Sequence, residues 1–246
     1  MALIKQYSLK LIGLHMHIGS GVDYAHLQSV CDAMIEQVKL CGSDLQAISI
    51  GGGLSIPYRE GEPEIDTTHY FDIWQVARQR IEAHLGHPIS MEIEPGRFLI
   101  TQAGSLISEL RAQKQVGNNF FALVDAGFND LARPAMYGSF HKISTYQSNG
   151  VAHRLDQLRP TVVAGPLCES GDVFTQEDGG VVTTQDLPVC EIGDYFVFHD
   201  TGAYGASMSS NYNSRPLIPE VLIDQEQITQ IRRRQSIQEL IALELL

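Results

Sequence analysis

The stretches LKLIGLHMHIGSG (residues 9–21), LQAISIGGG (residues 45–53) and ISMEIEPGR (residues 89–97) decide the fold of this chain. Each begins with a short apolar run typical of a buried strand and ends in a turn that contains glycine. Between them, residues 24–40 and 67–85 carry apolar side chains at helical spacing. This alternation predicts parallel α/β structure, in which functional groups gather at the carboxyl ends of the strands. We therefore expect the three glycine-bearing turns to meet on one face.

The sequence changes in character after about residue 103. Strand-like runs alternate with turns rich in Gly, Asn, Asp and Pro, which predicts an antiparallel β-sandwich or barrel domain. Ser236 is a candidate N-cap, with Glu239 as its capping-box partner, for a helix that reaches Leu246. Two domains are therefore expected, over residues 1–104 and 105–246. The strand-like runs are residues 106–116, 120–124, 151–158, 161–163, 180–184 and 195–199.

Three strand–helix units cannot close a barrel, and an open parallel sheet exposes its edges and apolar faces. Because residues 1–4 lead almost directly into the first predicted strand, we expect the chain to be the C-terminal part of a longer protein.

Composition excludes several classes of partner. The 246 residues are 43% apolar and 19% charged, which is typical of a globular protein. A net charge of −12 argues against nucleic acid or an anionic membrane as partner. No apolar run approaches the length of a membrane span, and we expect no signal peptide. The four cysteines, Cys31, Cys41, Cys168 and Cys190, lack metal-ligand spacing, which predicts reduced thiols in the cytoplasm and no metal site.

The glycine turns have chemically active neighbours. Such turns present backbone N–H groups, for which phosphate is the commonest ligand. The turns are accompanied by an imidazole (His17), a carboxylate (Glu94), a guanidinium (Arg97) and a thiol (Cys168). This combination suggests a phosphorylated cofactor whose ring chemistry is tuned by the protein. Each residue alone has an ordinary explanation as a turn, a solvated charge or a buried thiol. His15 is expected to point away from this face if its strand is regular, and to be structural.

Five segments in order resemble the fold-type III pyridoxal-phosphate decarboxylases, which include diaminopimelate, ornithine and arginine decarboxylases. Any one segment is a weak signal, but the five together are specific. Residues 123–130 (LVDAGFND) and 133–138 (RPAMYG) resemble the diaminopimelate branch in particular. The resemblance implies the last three units of a TIM-like barrel followed by a β domain, and a homodimer with shared active sites. The segments are HIGSG (17–21), GGG (51–53), EPGR (94–97), CESGD (168–172) and GAYG (202–205).

The resemblance also implies a site for pyridoxal 5'-phosphate. His17 would stack on the ring, Glu94 would pair with the pyridine nitrogen, and Arg97 would bind a phosphate or a substrate carboxylate. A carboxylate at that nitrogen keeps the ring cationic and strengthens it as an electron sink. The complete set of expected cofactor contacts is His17, Ser20, Gly51, Gly52, Gly53, Glu94, Pro95, Gly96, Arg97 and Tyr204.

For the substrate, the resemblance implies meso-diaminopimelate, which is converted to L-lysine and CO₂ in the last step of lysine biosynthesis. Cys168, contributed by the neighbouring subunit, would return a proton to the product, and Glu169 would meet the distal ammonium. Arg133 and Tyr137 would bind the distal carboxylate. Tyr204 would reach both cofactor and substrate, and Arg97 is a further candidate for substrate contact.

One expected residue is missing from this sequence. The family's cofactor-binding lysine lies on the first barrel strand, and none of the chain's lysines has the matching context. The chain alone is therefore expected to be inactive. Three alternatives stay open: a decarboxylase of ornithine or arginine type, a non-catalytic binding module, and an amino-acid racemase of the same fold type, against which the CESGD and EPGR segments speak.

Overall fold

The computed structural model describes residues 2–21, 23–42 and 44–244. The chain divides into two compact units, Met1–Leu99 and Ile100–Leu246. The predicted division after residue 104, with its assignment of domains, stays a prediction. Among the described residues, no helix has both the length and the apolar character that a membrane crossing requires.

The first unit is a small parallel sheet with helices between its strands. The strands pair in the order β1-β2-β3, and Ala47 lies between Gly13 and Ser90 in the register. The predicted strand–helix alternation is confirmed, although each strand is only three residues long. The elements are α1 (Ala2–Gln6), β1 (Gly13–His15), α2 (Tyr24–Cys41), β2 (Ala47–Ser49), α3 (Thr67–Leu85), β3 (Ser90–Glu92) and α4 (Gly96–Ile100). Helix α1 occupies the residues that were expected to lead directly into the first strand.

Local sequence signals set the two long helices. The Asp23 side chain accepts a hydrogen bond from the Ala25 N–H and begins α2, and Asp66 does the same for His69 at the start of α3. Gly86 ends α3 in the left-handed conformation that glycine adopts most easily. The apolar faces pack against the sheet and form the core of this unit. Its most deeply buried side chains include Cys31, Met34, Val38, Leu45, Ile48, Trp74 and Ile81.

The second unit is built around a six-stranded sheet in the order β10-β7-β5-β4-β11-β6. Leu110, Leu131, Val163, Phe196 and Phe198 lie at the centre of its core. The elements are β4 (Leu106–Val116), β5 (Asn119–Val124), α5 (Arg133–Tyr137), β6 (Ile143–Tyr146), β7 (Leu158–Ala164), β8 (Gln176–Glu177), β9 (Val181–Val182), β10 (Gln185–Pro188), β11 (Tyr195–Phe198), β12 (Glu220–Asp224), β13 (Gln227–Arg232) and α6 (Ile237–Leu240).

The sheet is mixed, so the prediction of an antiparallel β domain is correct for four of its five strand pairs and wrong for one. Strands β5 and β7 pair in parallel, with Phe120 opposite Thr161. Parallel neighbours need a long connection, and the chain between β5 and β7 supplies one that includes α5 and β6.

Three further expectations about this unit need correction. Residues 151–157 form a loop rather than a strand: Ala152 makes only an isolated bridge with Tyr146, the His153 N–H bonds to the Thr145 carbonyl, and a continuous strand begins only at Leu158, the start of β7. In the predicted run 180–184, only Val181 and Val182 are strand. Ser236 and Glu239 do form the expected capping box, but α6 is only four residues long. Its residues are largely exposed, so packing does not extend it; residues 245 and 246 lie outside the described residues.

Candidate functional site

The loop after β1 brings His17 against the glycine turn. The Gly52 N–H donates a hydrogen bond of 3.1 Å to His17 Nδ1. That nitrogen therefore acts as the acceptor of this hydrogen bond. The ring is exposed at the carboxyl ends of the strands. The structure thus fixes the orientation of the His17 ring while leaving a ring face accessible.

The turn at residues 51–53 must be glycine because backbone packs against it from two sides. Gly51 has φ +67° and Gly53 has φ +104°, conformations that other residues rarely adopt. A Cβ on Gly52 would lie 2.5 Å from the carbonyl oxygen of Glu94. The Gly51 carbonyl accepts from the Glu94 N–H at 2.8 Å, and the Gly53 carbonyl accepts from the Gly21 N–H at 2.9 Å. The turn therefore ties the ends of all three strands together.

Glu94 has a partner that sequence reasoning missed. Its Oε2 lies 3.3 Å from His15 Nε2, and both side chains are more than half exposed. The expectation that His15 points away from the predicted site is therefore wrong. In a regular strand, residues two apart share a face, so the predicted strand already placed His15 and His17 on the same side, and that spacing was the signal in the sequence.

Arg97 and Ser20 form the cationic side of the same region. Arg97 Nη2 donates to Ser20 Oγ at 3.1 Å, which joins the start of α4 to the loop after β1. The Gly96 N–H donates to the Glu94 carbonyl, and the Pro95 carbonyl accepts from the Leu99 N–H, so these two residues shape the turn into α4. A guanidinium beside a hydroxyl offers several donors to an oxyanion.

A small cavity lies behind the loop that follows β1. Ile18, Gly21, Gly52 and Tyr70 contribute to its lining, together with Trp74. Trp74 is the one tryptophan in the sequence and is 1% exposed. Its position gives a spectroscopic probe of this region.

In the second unit, Arg133 and Tyr204 lie together. The Arg133 guanidinium is 5.7 Å from the centre of the Tyr204 ring, within the range of a cation–π contact. Arg133 is buried, at 5% exposure, whereas Tyr137 at the other end of α5 is exposed. Tyr204 has φ +63°, which is unusual for an aromatic residue and marks a backbone held in place by its surroundings.

The CESGD loop is organised by its last residue. The buried Asp172 carboxylate accepts the N–H groups of Phe128 and Leu167, each at 2.7 Å. Burial raises the pKa of this carboxyl, while these two hydrogen bonds act in the opposite direction. Cys168 is exposed, so the alternative of a small buried thiol is wrong for this residue.

Glu169 on the same loop is also exposed and anionic. Its pKa is lowered, chiefly by the hydrogen bond from the Gly171 N–H and then by the Ser170 hydroxyl. The Tyr212 hydroxyl lies 3.4 Å from its Oε2. A thiol and a carboxylate are thus both presented to solvent on one structured loop. The roles of Asp172 and Tyr212 were not foreseen from the sequence, although an aspartate that closes a turn is a familiar signal.

The structure therefore groups the predicted residues into two sets. His17, Ser20, Gly51–Gly53, Glu94 and Arg97 lie together in the first unit, joined by hydrogen bonds. In the second unit, Arg133 contacts Tyr204, and Cys168 and Glu169 share a loop.

Residues 22–202 match the family of pyridoxal-dependent decarboxylases, described for this region as the C-terminal sheet domain. The chain belongs to this family. Diaminopimelate decarboxylase of Escherichia coli K12 is 63% identical over 244 residues, which make up 99% of this chain and 58% of that protein.

Solved structures agree with this relationship. A crystal structure of diaminopimelate decarboxylase matches with a TM-score of 0.95 and 62% identity, covering 100% of this chain and 58% of that one. The M. jannaschii diaminopimelate decarboxylase in complex with L-lysine matches with a TM-score of 0.85 and 29% identity, over 100% of this chain and 55% of that one. The chain thus spans a little over half the length of the proteins it resembles.

Proposed function

We propose that this chain is the C-terminal part of a diaminopimelate decarboxylase, which converts meso-2,6-diaminopimelate to L-lysine and CO₂ with pyridoxal 5'-phosphate. The observation that carries the proposal is the hydrogen-bonded cluster at the ends of the three parallel strands, where His17, Gly52 and Glu94 meet. The 63% identity to the Escherichia coli enzyme supports the choice of substrate.

The chemistry of this cluster fits the cofactor. Arg97 and the Ser20 hydroxyl suit a phosphate, and the Glu94 carboxylate suits a protonated pyridine nitrogen. His17, with its ring held by the Gly52 amide, suits stacking on an aromatic ring. When bound, pyridoxal phosphate supplies a cationic ring that accepts the electron pair left by the departing CO₂.

Each residue of the first unit would have a separate role in holding the cofactor. Glu94 would hold the proton on the ring nitrogen, and His15 would hold one oxygen of that carboxylate in place. Because the Gly52 N–H donates to Nδ1, the His17 ring would be held in one orientation for stacking on the cofactor ring. Arg97 and Ser20 would keep the phosphate oriented so that the ring position is fixed.

The residues of the second unit would act on the substrate. Cys168, exposed on its loop, would donate a proton to the product carbon, and Glu169 would bind the distal ammonium. Arg133 and Tyr137 would bind the distal carboxylate, a group that diaminopimelate has and ornithine lacks. Tyr204 would contact both substrate and cofactor. The Arg133–Tyr204 contact supports a shared binding surface for these two residues.

The proposal includes an assembly larger than this chain. The first unit would be the last three units of a TIM-like barrel, and the cofactor-binding lysine would lie in the part of the relatives that this chain does not match. The CESGD loop would complete the active site of a neighbouring subunit in a cytoplasmic homodimer.

A chimera tests the activity. The unmatched part of the Escherichia coli relative is fused ahead of this chain, and CO₂ release is measured from meso-diaminopimelate, ornithine and arginine. We expect release from meso-diaminopimelate alone, with formation of L-lysine. Release from ornithine or arginine alone would make this chain a decarboxylase of another diamino acid.

Two variants of the chimera test the residue roles. Cys168→Ala is expected to lower turnover by about 100-fold or more, as for loss of a general acid, whereas Cys41→Ala should leave it unchanged. Arg133→Leu should raise KM for meso-diaminopimelate. A folded chimera that binds pyridoxal phosphate but decarboxylates none of the three substrates would favour the non-catalytic binding module.

A further inference from the structure

A second cluster of reactive side chains lies in the sheet unit, among residues that the proposed decarboxylation does not use. The cluster consists of His153, Cys190 and Asp194. A ring nitrogen, the sulfur and a carboxylate oxygen of these residues all lie within 4.8 Å of one another. His153 belongs to the loop between β6 and β7, and the other two residues belong to the connection between β10 and β11. Cys190 is 5% exposed, and the His153 and Asp194 side chains are 13% and 8% exposed. The three donors therefore face one another out of water.

Hydrogen bonds hold the backbone of all three residues. The His153 N–H donates to the Thr145 carbonyl at 3.1 Å, and the Cys190 carbonyl accepts from Gln113 Nε2 at 2.7 Å. The Asp194 carbonyl accepts from the Leu110 N–H at 2.8 Å. Donors fixed in this way lose little freedom when they bind a ligand, which is the condition for a preorganised site.

The Asp194 carboxylate is oriented by the loops around it. Its Oδ1 accepts from the Ser148 N–H at 3.0 Å, and its Oδ2 accepts from the Glu191 N–H at 2.7 Å and lies 2.9 Å from His153 Nε2. Carboxylates that bind metals are commonly held by such outer hydrogen bonds. A metal between His153 and Asp194 would take the place of their shared proton and leave both backbone contacts intact.

We propose that His153, Cys190 and Asp194 form a zinc site. Nitrogen, sulfur and oxygen donors together suit Zn²⁺, which is of borderline softness, better than Mg²⁺ or Ca²⁺. With a thiolate, a carboxylate and a neutral imidazole the complex has no net charge, which suits a buried position. Metal–ligand bonds of about 2.0–2.3 Å require the imidazole and carboxylate to separate by roughly 0.5 Å and the thiolate to move inward by about 1 Å.

Protons balance in this binding step. The Cys190 thiol donates to the Pro188 carbonyl at 3.3 Å, and on binding the metal it releases this proton to solvent. The imidazole binds through Nε2, so its one proton moves from Nε2 to Nδ1 and the ring stays neutral.

A fourth polar group faces the cluster. The Thr145 side chain on β6 is 5% exposed, and its Oγ1 has no hydrogen bond of normal geometry among the described residues. It lies close enough to Cys190 to lower the pKa of the thiol in opposition to burial. A water bound to this hydroxyl would supply the fourth ligand of a tetrahedral zinc. The metal would then join the β6–β7 loop to the β10–β11 connection as a structural cross-link.

Cobalt(II) is the probe for this site, because a thiolate ligand gives it a charge-transfer band in the near ultraviolet. The parent protein is the 246-residue chain carrying Cys41→Ser and Cys168→Ser, which removes the two thiols that are not fully buried. We expect one equivalent of Co²⁺ to produce the band and one equivalent of Zn²⁺ to abolish it. Adding Cys190→Ser should remove the band and weaken Zn²⁺ binding roughly 100-fold or more, beyond the usual effect of an outer-shell change.

A second variant covers the case in which Cys190→Ser does not fold. His153→Gln keeps a donor for Asp194, so the loop persists, but the imidazole ligand is lost and Zn²⁺ affinity should fall by at least 10-fold. Far-ultraviolet circular dichroism verifies the fold of each variant. The proposal is overturned if the parent shows no thiolate band, if the band survives in a folded Cys190→Ser protein, or if His153→Gln binds Zn²⁺ as well as the parent.

Discussion

Several glycines of the first unit have an ordinary φ and could be replaced by alanine. Among these, Gly52→Ala is expected to damage the candidate cofactor site most. Gly52 does not have a positive φ, so alanine meets no backbone strain there. The added Cβ would instead lie 2.5 Å from the Glu94 carbonyl oxygen and 3.4 Å from His17 Cε1. Because the nearer neighbour is backbone, it cannot rotate away.

The size of the effect follows from that distance. Ordinary contact requires about 3.4 Å, so the turn and the Glu94 backbone must separate by roughly 1 Å. Overpacking of this kind destabilises a protein by about 1–3 kcal/mol. The same shift pulls the Gly52 N–H away from His17 and moves Glu94, and misplacement by about 1 Å can lower binding or activity by about 100-fold.

Trp74 provides the assay. Pyridoxal phosphate absorbs where tryptophan emits, so binding near the glycine turn should quench Trp74 fluorescence, and titration gives Kd. Urea unfolding gives the free energy of unfolding of the same samples. We expect Gly52→Ala to raise Kd for pyridoxal phosphate at least 10-fold and to lower stability by about 1–3 kcal/mol.

Gly96→Ala is the matched control for stability. A Cβ there meets nothing within 4 Å, and the residue begins a helix, where alanine is favoured over glycine. Its free energy of unfolding should be unchanged or slightly higher. Equal stability and equal cofactor affinity for Gly52→Ala and the unmodified chain would refute the steric reasoning.

Three other changes have defined outcomes. His15→Gln should weaken pyridoxal phosphate binding several-fold by Trp74 quenching while stability changes by less than about 0.5 kcal/mol, because the His15–Glu94 pair is exposed; unchanged affinity would remove His15 from the site. Asp172→Asn places an amide donor against a backbone N–H, and should cost about 1–3 kcal/mol in urea unfolding and speed hydrogen exchange in residues 165–172. His141 is buried, and burial lowers its pKa to about 4 from an ordinary 6.5. As the pH falls, the unfolded chain therefore takes up a proton at His141 before the folded chain does. Stability from this residue is therefore complete above pH 6.5 and falls by roughly 3 kcal/mol as the pH drops to 4, and His141→Gln should flatten that part of the pH profile.

Most helices and turns of the first unit could be predicted from the sequence, because the residues that specify them lie within each segment. The helix over 67–85 was predicted with its observed bounds, since an aspartate cap, a regular apolar face and a terminal glycine all lie within the segment. The three glycine turns were placed at strand ends for the same reason. Parallel strands bring those ends to one edge, so the meeting of His17, Gly52 and Glu94 followed from the order of the elements.

The sheet unit was less readable because strand pairing is not local. The parallel pairing of β5 with β7 depends on how the intervening chain crosses over, which no short pattern records. Residues 151–157 were predicted as strand, but their backbone makes only isolated bonds with the end of β6, including the His153 N–H with the Thr145 carbonyl, and no continuous ladder forms. The missed strand at 143–146 is short and owes its place to β11 beside it.

The sequence by itself determined the βα order and the helix caps, because each depends on neighbours along the chain; the residues that would serve a phosphorylated cofactor stay a prediction. Tertiary structure alone decided that His15 meets Glu94, that Asp172 orders the loop of Cys168, and that His153 joins Cys190. The spacing of the cysteines predicted no metal site, since ligands from separate loops leave no local pattern. Their approach is fixed by sheet register and loop hydrogen bonds, which act between residues distant in sequence.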